Sequence, residues 1–303
     1  MVCLDRQTAR FHLPGLFEFY DFYAAFLPLY RSHRDYFYDW CEIGSIYGAP
    51  ADCLWGGGRV GFGEASPQAV AALTREYGIA AHLTFSNSLL RPEHLADRRC
   101  NALCELFARG DAAENGVIVA SDLLTAYLKE HYPGLCLISS TTKVLTRWED
   151  LIAELKRPEF RWVVPDFRLN PALERWAALP PELRAKVEFL CNECCRFDCP
   201  DRRACYEAVS RKALGEDGPE HVCRAPDAQE GYVFSKAMRN PGFIGLDRIR
   251  DVLLPEGYTE FKIEGRSLGS AMLLEFLLYY MTKPDYHLIV REKLYLHASL
   301  DLF

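Results

Sequence analysis

Short apolar segments recur about every 30 residues, and each is followed by a turn and then by a stretch whose apolar positions have helical spacing. The pattern predicts eight strands: Trp40–Tyr47, Ala80–Phe85, Gly116–Ser121, Leu135–Ser140, Trp162–Phe167, Lys186–Cys191, Gly242–Leu246 and Glu260–Glu264. Eight β/α units of this size are typical of a (β/α)8 TIM barrel in the α/β class, and an open doubly wound sheet is the alternative.

Two segments depart from this repeat. The aromatic stretch Phe11–Tyr38 has the pattern of an amphipathic helix, so residues 1–39 are predicted to form an N-terminal helical extension that plugs or covers the barrel. Residues 191–223 form a cysteine-rich insertion after the sixth predicted strand. No linker or low-complexity run divides the chain, which predicts a single TIM-barrel domain over residues 1–303.

Composition narrows the class of protein. A chain of 303 residues that is 50% hydrophobic can bury a large core, which excludes a disordered or fibrous protein. The formal net charge of -7 gives no field that would hold a polyanion, so nucleic acid is not an expected partner. No apolar stretch approaches membrane-spanning length and no secretory signal is recognisable, so we expect a cytoplasmic protein with no membrane partner.

The twelve cysteines fall into two groups. Six are scattered in apolar surroundings, and the other six lie within 33 positions: Cys191, Cys194, Cys195, Cys199, Cys205 and Cys223. The second group begins where a strand should emerge at the carboxyl face of the barrel, where barrels build their sites. Clustered thiolates are typical of zinc or an iron–sulfur cluster, with reduced structural cysteines or a redox-active disulfide as alternatives.

The last predicted strand alternates apolar and charged residues through Phe261-Lys262-Ile263-Glu264-Gly265-Arg266. This alternation predicts that Lys262, Glu264 and Arg266 face the barrel lumen. Because charges inside a barrel need partners or ligands, we interpret these three as catalytic residues, with Glu264 as a general base. The alternative is an ion pair that only closes the barrel.

Polar residues on other predicted strands indicate a polar pocket. The predicted substrate-binding residues are Glu42, Asn87, Asp166 and Asn192. Such residues can equally cap the helices that follow. The turn Gly56-Gly57-Gly58-Arg59 could approach a phosphate, but it lacks the Lys-Ser/Thr ending of a P-loop, so a sharp turn is favoured.

Four segments, in order, resemble the collagenase-like peptidase family U32. They are Ala49–Gly57, Val117–Leu123 with Ser139–Thr142, Phe189–Cys195, and Phe261–Arg266, the last of which matches the family pattern residue for residue. Members resemble one another in a barrel that carries a 4Fe-4S cluster. The resemblance therefore implies a divergent member with cluster ligands at Cys195, Cys199, Cys205 and Cys223, and zinc is the alternative metal. It leaves open whether Cys191, which stands where the family has His, or Cys194 replaces one ligand.

These observations predict an iron–sulfur enzyme that acts on a small-molecule or modified-polymer substrate, polar or anionic, by redox or oxygen-independent hydroxylation-type chemistry. A peptidase or other hydrolase is one alternative, although no Ser/His/Asp or His-Glu-x-x-His arrangement is present. A non-catalytic iron–sulfur partner protein is another, and a homo- or heterodimer is compatible with all three hypotheses.

Overall fold

The computed structural model describes residues 7–59, 63, 65–109, 113–218, 221–226, 228 and 231–299. The strands are β1 (Ala9–Pro14), β2 (Cys41–Gly48), β3 (Ala80–Phe85), β4 (Gly116–Val119), β5 (Cys136–Ser139), β6 (Phe160–Val163), β7 (Glu188–Leu190) and β8 (Glu260–Lys262). The helices are α1 (Tyr20–Ser32), α2 (Pro67–Tyr77), α3 (Arg98–Ala108), α4 (Asp122–His131), α5 (Trp148–Leu155), α6 (Leu173–Ala177), α7 (Pro181–Arg184), α8 (Arg202–Ala213), α9 (Phe234–Ala237), α10 (Leu246–Arg248), α11 (Ser270–Tyr280) and α12 (His287–Ser299).

All strand pairs are parallel, and the strand order is β6-β5-β4-β3-β2-β1-β8-β7. The two edges of this sheet meet at an isolated parallel bridge between Val163 and Val187. The eight strands therefore form a nearly closed barrel, which confirms the predicted (β/α)8 fold. Its carboxyl ends share one face, where loops can enclose a site.

Alternation along the strands divides the interior into two cores. Val117 and Val119 of β4 pack in the large core shared with the helices, whereas Ile118, between them, packs with Ile138 and Trp162 in a separate cluster. Because successive strand residues point to opposite faces, the second cluster fills the barrel lumen. Side chains that follow it toward the carboxyl ends form the floor of the site.

The N-terminal segment contains a barrel strand that sequence reasoning missed. Residues 9–14 form β1, which pairs with β2 on one side and β8 on the other. Phe11 and Leu13 enter the outer core while His12 is buried on the opposite face. The aromatic run that continues beyond this short alternation hid it within a helical pattern. The predicted helix is present as α1, which packs against α2 and α12 as the first helix of the barrel.

The predicted strand Gly242–Leu246 is wrong. In the structure this stretch is a loop leading into α10. A strand-like contact remains at Ile244, whose N–H donates to the Cys191 carbonyl 2.9 Å away. The cysteine-rich segment therefore follows the seventh strand rather than the sixth, and β7 pairs directly with β8, with Leu190 opposite Lys262. The sequence reasoning had placed one strand between them.

Helix α11 is strongly apolar in sequence. Six of its residues are buried, among them Leu274 and Phe276, and α12 packs against it. No helix in the described part of the chain is long and apolar enough to cross a membrane.

Candidate functional site

A small cavity lies at the carboxyl end of the barrel and is lined by the three predicted catalytic residues, Lys262, Glu264 and Arg266. Arg59 and Glu193 line it as well, and its volume is about 40 Å³. A cavity of this size holds little more than water in the conformation seen here. The inward placement of Lys262 on β8, and of Glu264 and Arg266 just after it, agrees with the prediction from alternation.

The positive charges of this cavity have different partners. Lys262 Nζ lies 2.7 Å from Glu188 Oε1 and 3.8 Å from the centre of the Tyr47 ring. Arg266 donates to Thr84 Oγ1 at 3.0 Å and, within the described residues, has no carboxylate within 4.0 Å. Arg266 is therefore the cavity cation whose charge is least compensated.

Glu264 pairs with Arg59 rather than with Lys262 or Arg266. Arg59 Nη1 lies 2.5 Å from Glu264 Oε1 and 3.9 Å from Glu193 Oε1. Burial and the nearby Glu193 raise the pKa of Glu264 to about 7, and Arg59 opposes the shift. Burial alone would raise the pKa of Glu193, but Arg202 and Arg59 outweigh it and hold that pKa well below its ordinary value. The two carboxyl groups therefore differ in protonation near neutral pH.

The glycine turn brings Arg59 to this position. A Cβ on Gly57 would collide with the backbone of Ser86 and Asn87, so only glycine allows the loop to lie this close to the end of β3. The Asn87 N–H donates to the Trp55 carbonyl at 3.0 Å in the same contact. The glycine turn thus has a packing role, and Arg59 stands at its end.

Glu193 holds the cysteine-rich segment together just after the end of β7. Its Oε1 accepts from the Cys195 N–H at 2.9 Å, and its Oε2 accepts from Arg202 at 2.6 Å. Both side chains of the Glu193–Arg202 pair are almost fully buried. Asn240 Nδ2 donates to the Cys195 carbonyl at 2.9 Å. The backbone at Cys195 is therefore fixed from both sides.

Asp166 anchors the same segment through arginines. The Arg168 side chain donates to both carboxylate oxygens of Asp166, and Arg202 Nε lies 3.4 Å from Oδ2. Arg168 also donates to the Cys199 carbonyl at 3.0 Å. Asp166 is thus a buried, paired carboxylate that positions the two arginines.

None of the four predicted substrate-binding residues, Asp166 included, lines the cavity. Asn192 bonds to both the N–H and the carbonyl of Glu264, at 2.7 and 2.9 Å, and so holds β8 beside the end of β7. Asn87 donates to the carbonyls of Leu54 and Ser210. The prediction for Glu42 is wrong, because it is exposed near the amino end of β2, whereas the site lies at the carboxyl end.

A larger cavity of about 300 Å³ adjoins the barrel mouth. Five thiols line it: Cys194, Cys195, Cys199, Cys205 and Cys223. Arg59 and Tyr206 line both this cavity and the smaller one. The predicted metal ligands are therefore brought together around one cavity. A wall formed by Arg59 and Tyr206 separates this cavity from the one that the predicted catalytic residues line.

The thiols surround this cavity rather than meeting at a point. Among the described residues, no three Cys, His, Asp or Glu side chains converge closely enough to hold a single metal ion. Burial raises the pKa of Cys195 to about 11, and Arg202 opposes this shift. Burial also raises the pKa of Cys205, with Arg59 and Arg202 opposing it. The two guanidinium groups therefore offset part of the rise in pKa that burial causes at these thiols.

Cys191 and Cys194 occupy different environments. Cys191 is fully buried, and its backbone continues the ladder of β7 through bonds to Lys262 and Ile244. It does not line the thiol cavity, whereas Cys194 does and lies 4.0 Å from Arg59 Nη1. Only Cys194 is thus placed to compete with the four predicted ligands.

Sequence reasoning missed the residues that compensate these charges. Glu193 and Arg202 lie inside the cysteine-rich segment. Their position between predicted metal ligands was the sequence signal that could have indicated them. Glu188 is a single charge in an apolar strand and was a usable signal, because a buried carboxylate needs a partner. Arg59 was recognised only as the end of the glycine turn.

The fold is similar to a solved structure of the U32 peptidase Mk0906. The TM-score is 0.52 at 14% sequence identity, over 85% of this chain and 92% of that one. No protein-family model matches the chain, and no curated protein matches it in sequence. The predicted resemblance to U32 is confirmed as a divergent relationship of fold. What the site does must be argued from this chain's own residues.

Proposed function

We propose that this chain is an iron–sulfur enzyme that holds a 4Fe-4S cluster on Cys195, Cys199, Cys205 and Cys223 and acts on a small polar or anionic substrate at the barrel mouth. The observation that carries the proposal is the shared wall, since Arg59 and Tyr206 line both the thiol cavity and the cavity of Glu264 and Arg266. A bound cluster supplies electron transfer or a Lewis-acidic iron for redox or hydroxylation-type chemistry.

The cavity that the thiols line supports a cluster more than a single zinc ion. One tetrahedral zinc requires four ligands at about 2.0–2.3 Å from a single point, and the described side chains do not converge in that way. In a cubane cluster each thiolate binds a different iron, so the sulfur atoms surround a volume. Four cysteines around a cavity of about 300 Å³ fit that requirement.

The protein residues around the cysteines support binding by preorganisation. Glu193 and Asn240 hold the peptide groups of Cys195, and Arg168 holds the carbonyl of Cys199, through bonds of 2.9 to 3.0 Å. These contacts do not involve the thiols. They leave the sulfur atoms available as ligands while limiting the backbone freedom that binding would remove.

Two features of the mouth favour an anionic or polar substrate. The Arg266 guanidinium faces no carboxylate within the described residues and bonds only to the Thr84 hydroxyl among side chains. Glu264 Oε2 is buried and receives no hydrogen bond in the part of the chain that is described. Arg266 would hold an acidic group, and Glu264 would accept a proton or hydrogen bond from a neighbouring hydroxyl or amine. Access requires Arg59 or Tyr206 to move, because the present cavity is small.

A hydrolase is the second candidate, favoured by the Glu193–Glu264 pair. Two neighbouring carboxyl groups with opposite pKa shifts can divide the roles of base and acid. The similar barrel of a U32 peptidase agrees with this candidate in fold only.

Metal and sulfide analysis of protein purified without oxygen tests the proposal. We expect about four iron and four sulfide per chain and a brown visible absorbance. Cys195→Ala, Cys199→Ala, Cys205→Ala and Cys223→Ala should each lower bound iron, whereas the matched Cys191→Ala and Cys194→Ala variants should keep it. Full iron in all four ligand variants, or one zinc in place of iron, would overturn the assignment.

The role of Glu264 requires a separate variant. Glu264→Gln keeps the shape of the side chain and removes its charge, so it should retain iron and lose turnover of a candidate substrate. A Glu264→Gln protein that turns over normally would remove Glu264 from the reaction. Peptide cleavage by metal-free protein that is abolished in Glu264→Gln would instead support the hydrolase.

A further inference from the structure

A second thiol pair lies outside the cysteine-rich segment, beneath the loop that joins β2 to α2. Cys53 belongs to this loop and Cys100 to the first turn of α3, and both side chains are buried. Their sulfur atoms are 3.1 Å apart, although 47 residues separate them in the chain. An S–S bond measures about 2.05 Å, so the two sulfurs need to approach by only about 1 Å to become bonded.

The backbone on each side holds these cysteines in place independently of the thiols. Asp97 accepts from the Cys100 N–H at 2.7 Å and so fixes the start of α3. Asp52 and Arg99, the residues that precede Cys53 and Cys100, form an ion pair. The Gly56 N–H donates to the Cys53 carbonyl at 2.9 Å. The pair is therefore presented face to face by the fold.

We propose that Cys53 and Cys100 form a redox-modification site, a dithiol that hydrogen peroxide converts to a disulfide and that a reducing dithiol restores. One thiolate attacks a peroxide oxygen, the O–O bond breaks, and a sulfenic acid and one water result. The second sulfur then attacks the sulfenic sulfur, the S–O bond breaks, and a second water leaves. The two thiols lose two electrons and two protons, and peroxide is reduced to two waters.

The contacts of the thiols favour a bond between Cys53 and Cys100 over one that involves the neighbouring Cys104. The hydrogen bond to Cys53 and burial raise the pKa of Cys100, and either sulfur can attack peroxide first, since both orders give the same disulfide. Cys104 lies one turn further along α3, and among the described residues its sulfur makes no hydrogen-bonding contact with Cys53 or Cys100 like the one that joins those two. The disulfide is accordingly expected between Cys53 and Cys100 and not within the helix.

The bond would act on the loop that completes the candidate site. Arg59 follows Cys53 by six residues and reaches Glu264 at 2.5 Å. A disulfide would tie this loop covalently to α3 and limit the movement of Arg59 that opening the mouth requires. The inference does not depend on a metal in the thiol cavity.

Peptide mapping tests the site directly. Reduced protein is treated with hydrogen peroxide, denatured in iodoacetamide and digested, and the peptides are identified by mass spectrometry. We expect a linked peptide pair containing Cys53 and Cys100, lighter by two hydrogen atoms and released by dithiothreitol. The proposal would be overturned if Cys53 and Cys100 were still alkylated under conditions that oxidise the cysteine-rich segment. A link from Cys100 to Cys104 would overturn it as well.

Matched variants and a stability measurement complete the test. Cys53→Ala and Cys100→Ala should each abolish the linked pair, and Cys104→Ala should retain it. Oxidation should raise the midpoint of thermal unfolding of the wild-type protein, because the bond closes a long loop of the unfolded chain, and should not raise that of Cys53→Ala. If Cys53→Ala does not fold, the map of the wild-type protein still decides; an unchanged wild-type midpoint would contradict the tethering of the loop.

Discussion

The Lys262–Glu188 ion pair allows a quantitative test of how charge is held inside the barrel. The Nζ and Oε1 atoms are 2.7 Å apart, and the two side chains are 7% and 0% exposed. Lys262→Met keeps an unbranched side chain of similar length but leaves Glu188 without its cation. Removing one partner of a buried pair costs about 3–5 kcal/mol of unfolding free energy.

The pKa of Glu188 gives an independent value for the free energy of this interaction. Burial would raise this pKa, but Lys262, His12 and the hydrogen bond with Lys262 lower it to about 2 from an ordinary value of 4.5. At about 1.4 kcal/mol per pKa unit, that shift corresponds to about 3 kcal/mol. In the variant, Glu188 can avoid the buried charge by taking a proton, which at pH 7 also costs about 3 kcal/mol. We therefore expect Lys262→Met to lose at least about 3 kcal/mol, the lower end of the range for one partner of a buried pair.

The pH dependence has a definite sign. In the wild-type protein the depressed pKa of Glu188 stabilises the fold fully above the ordinary value of 4.5, and this stabilisation is lost as pH falls toward 2. In Lys262→Met the pKa of Glu188 is raised, so the folded state takes up a proton and stability increases as pH falls toward the ordinary value. The difference in unfolding free energy between the two proteins should thus become smaller as the pH falls from about 7.5 to about 5.

Urea unfolding followed by tryptophan fluorescence measures these differences. The double variant Lys262→Met/Glu188→Met should recover most of the loss, because it leaves no buried charge unpaired. The matched control is Lys186→Met, since Lys186 Nζ bonds to the Arg157 carbonyl and not to a buried carboxylate. A loss below about 1 kcal/mol, no recovery in the double variant, or a gap that stays constant with pH would refute the reasoning.

Three further predictions concern the loop and the mouth. Gly57→Ala should lower stability by about 1–3 kcal/mol in thermal unfolding, because its Cβ meets the backbone of Ser86. The control Gly134→Ala, whose nearest contact is 3.5 Å away, should be tolerated, and equal effects of the two variants would contradict the packing role of Gly57. Asn192→Ala should cost about 2 kcal/mol or more in urea unfolding, since it breaks two buried bonds to the Glu264 backbone, and a loss near zero would show those bonds to be unimportant. Arg266→Met should weaken binding of inorganic phosphate about tenfold in calorimetry relative to the exposed control Arg161→Met, whereas unchanged binding would exclude Arg266 as an anion site.

Local sequence pattern determined most of the barrel and the character of its last strand. Alternation through Phe261-Lys262-Ile263-Glu264 placed apolar side chains outward and charged ones toward the lumen, because successive strand residues point to opposite faces. Cysteine crowding marked the segment that lines the thiol cavity. The sequence pattern was misleading at Gly242–Leu246, a short apolar stretch, and at β1, a short alternation. Each of these patterns is compatible with more than one structure.

Only the tertiary structure decided the partner of each charge and each thiol. Glu264 meets Arg59 across 205 residues, Lys262 meets Glu188 across 74, and Cys53 meets Cys100 across 47. Each of these pairs depends on how the strands close and on which loop crosses the mouth. The chemistry of a residue can be read from its type and spacing, but its pKa and its partner are set by distance and burial, which exist only once the chain is folded.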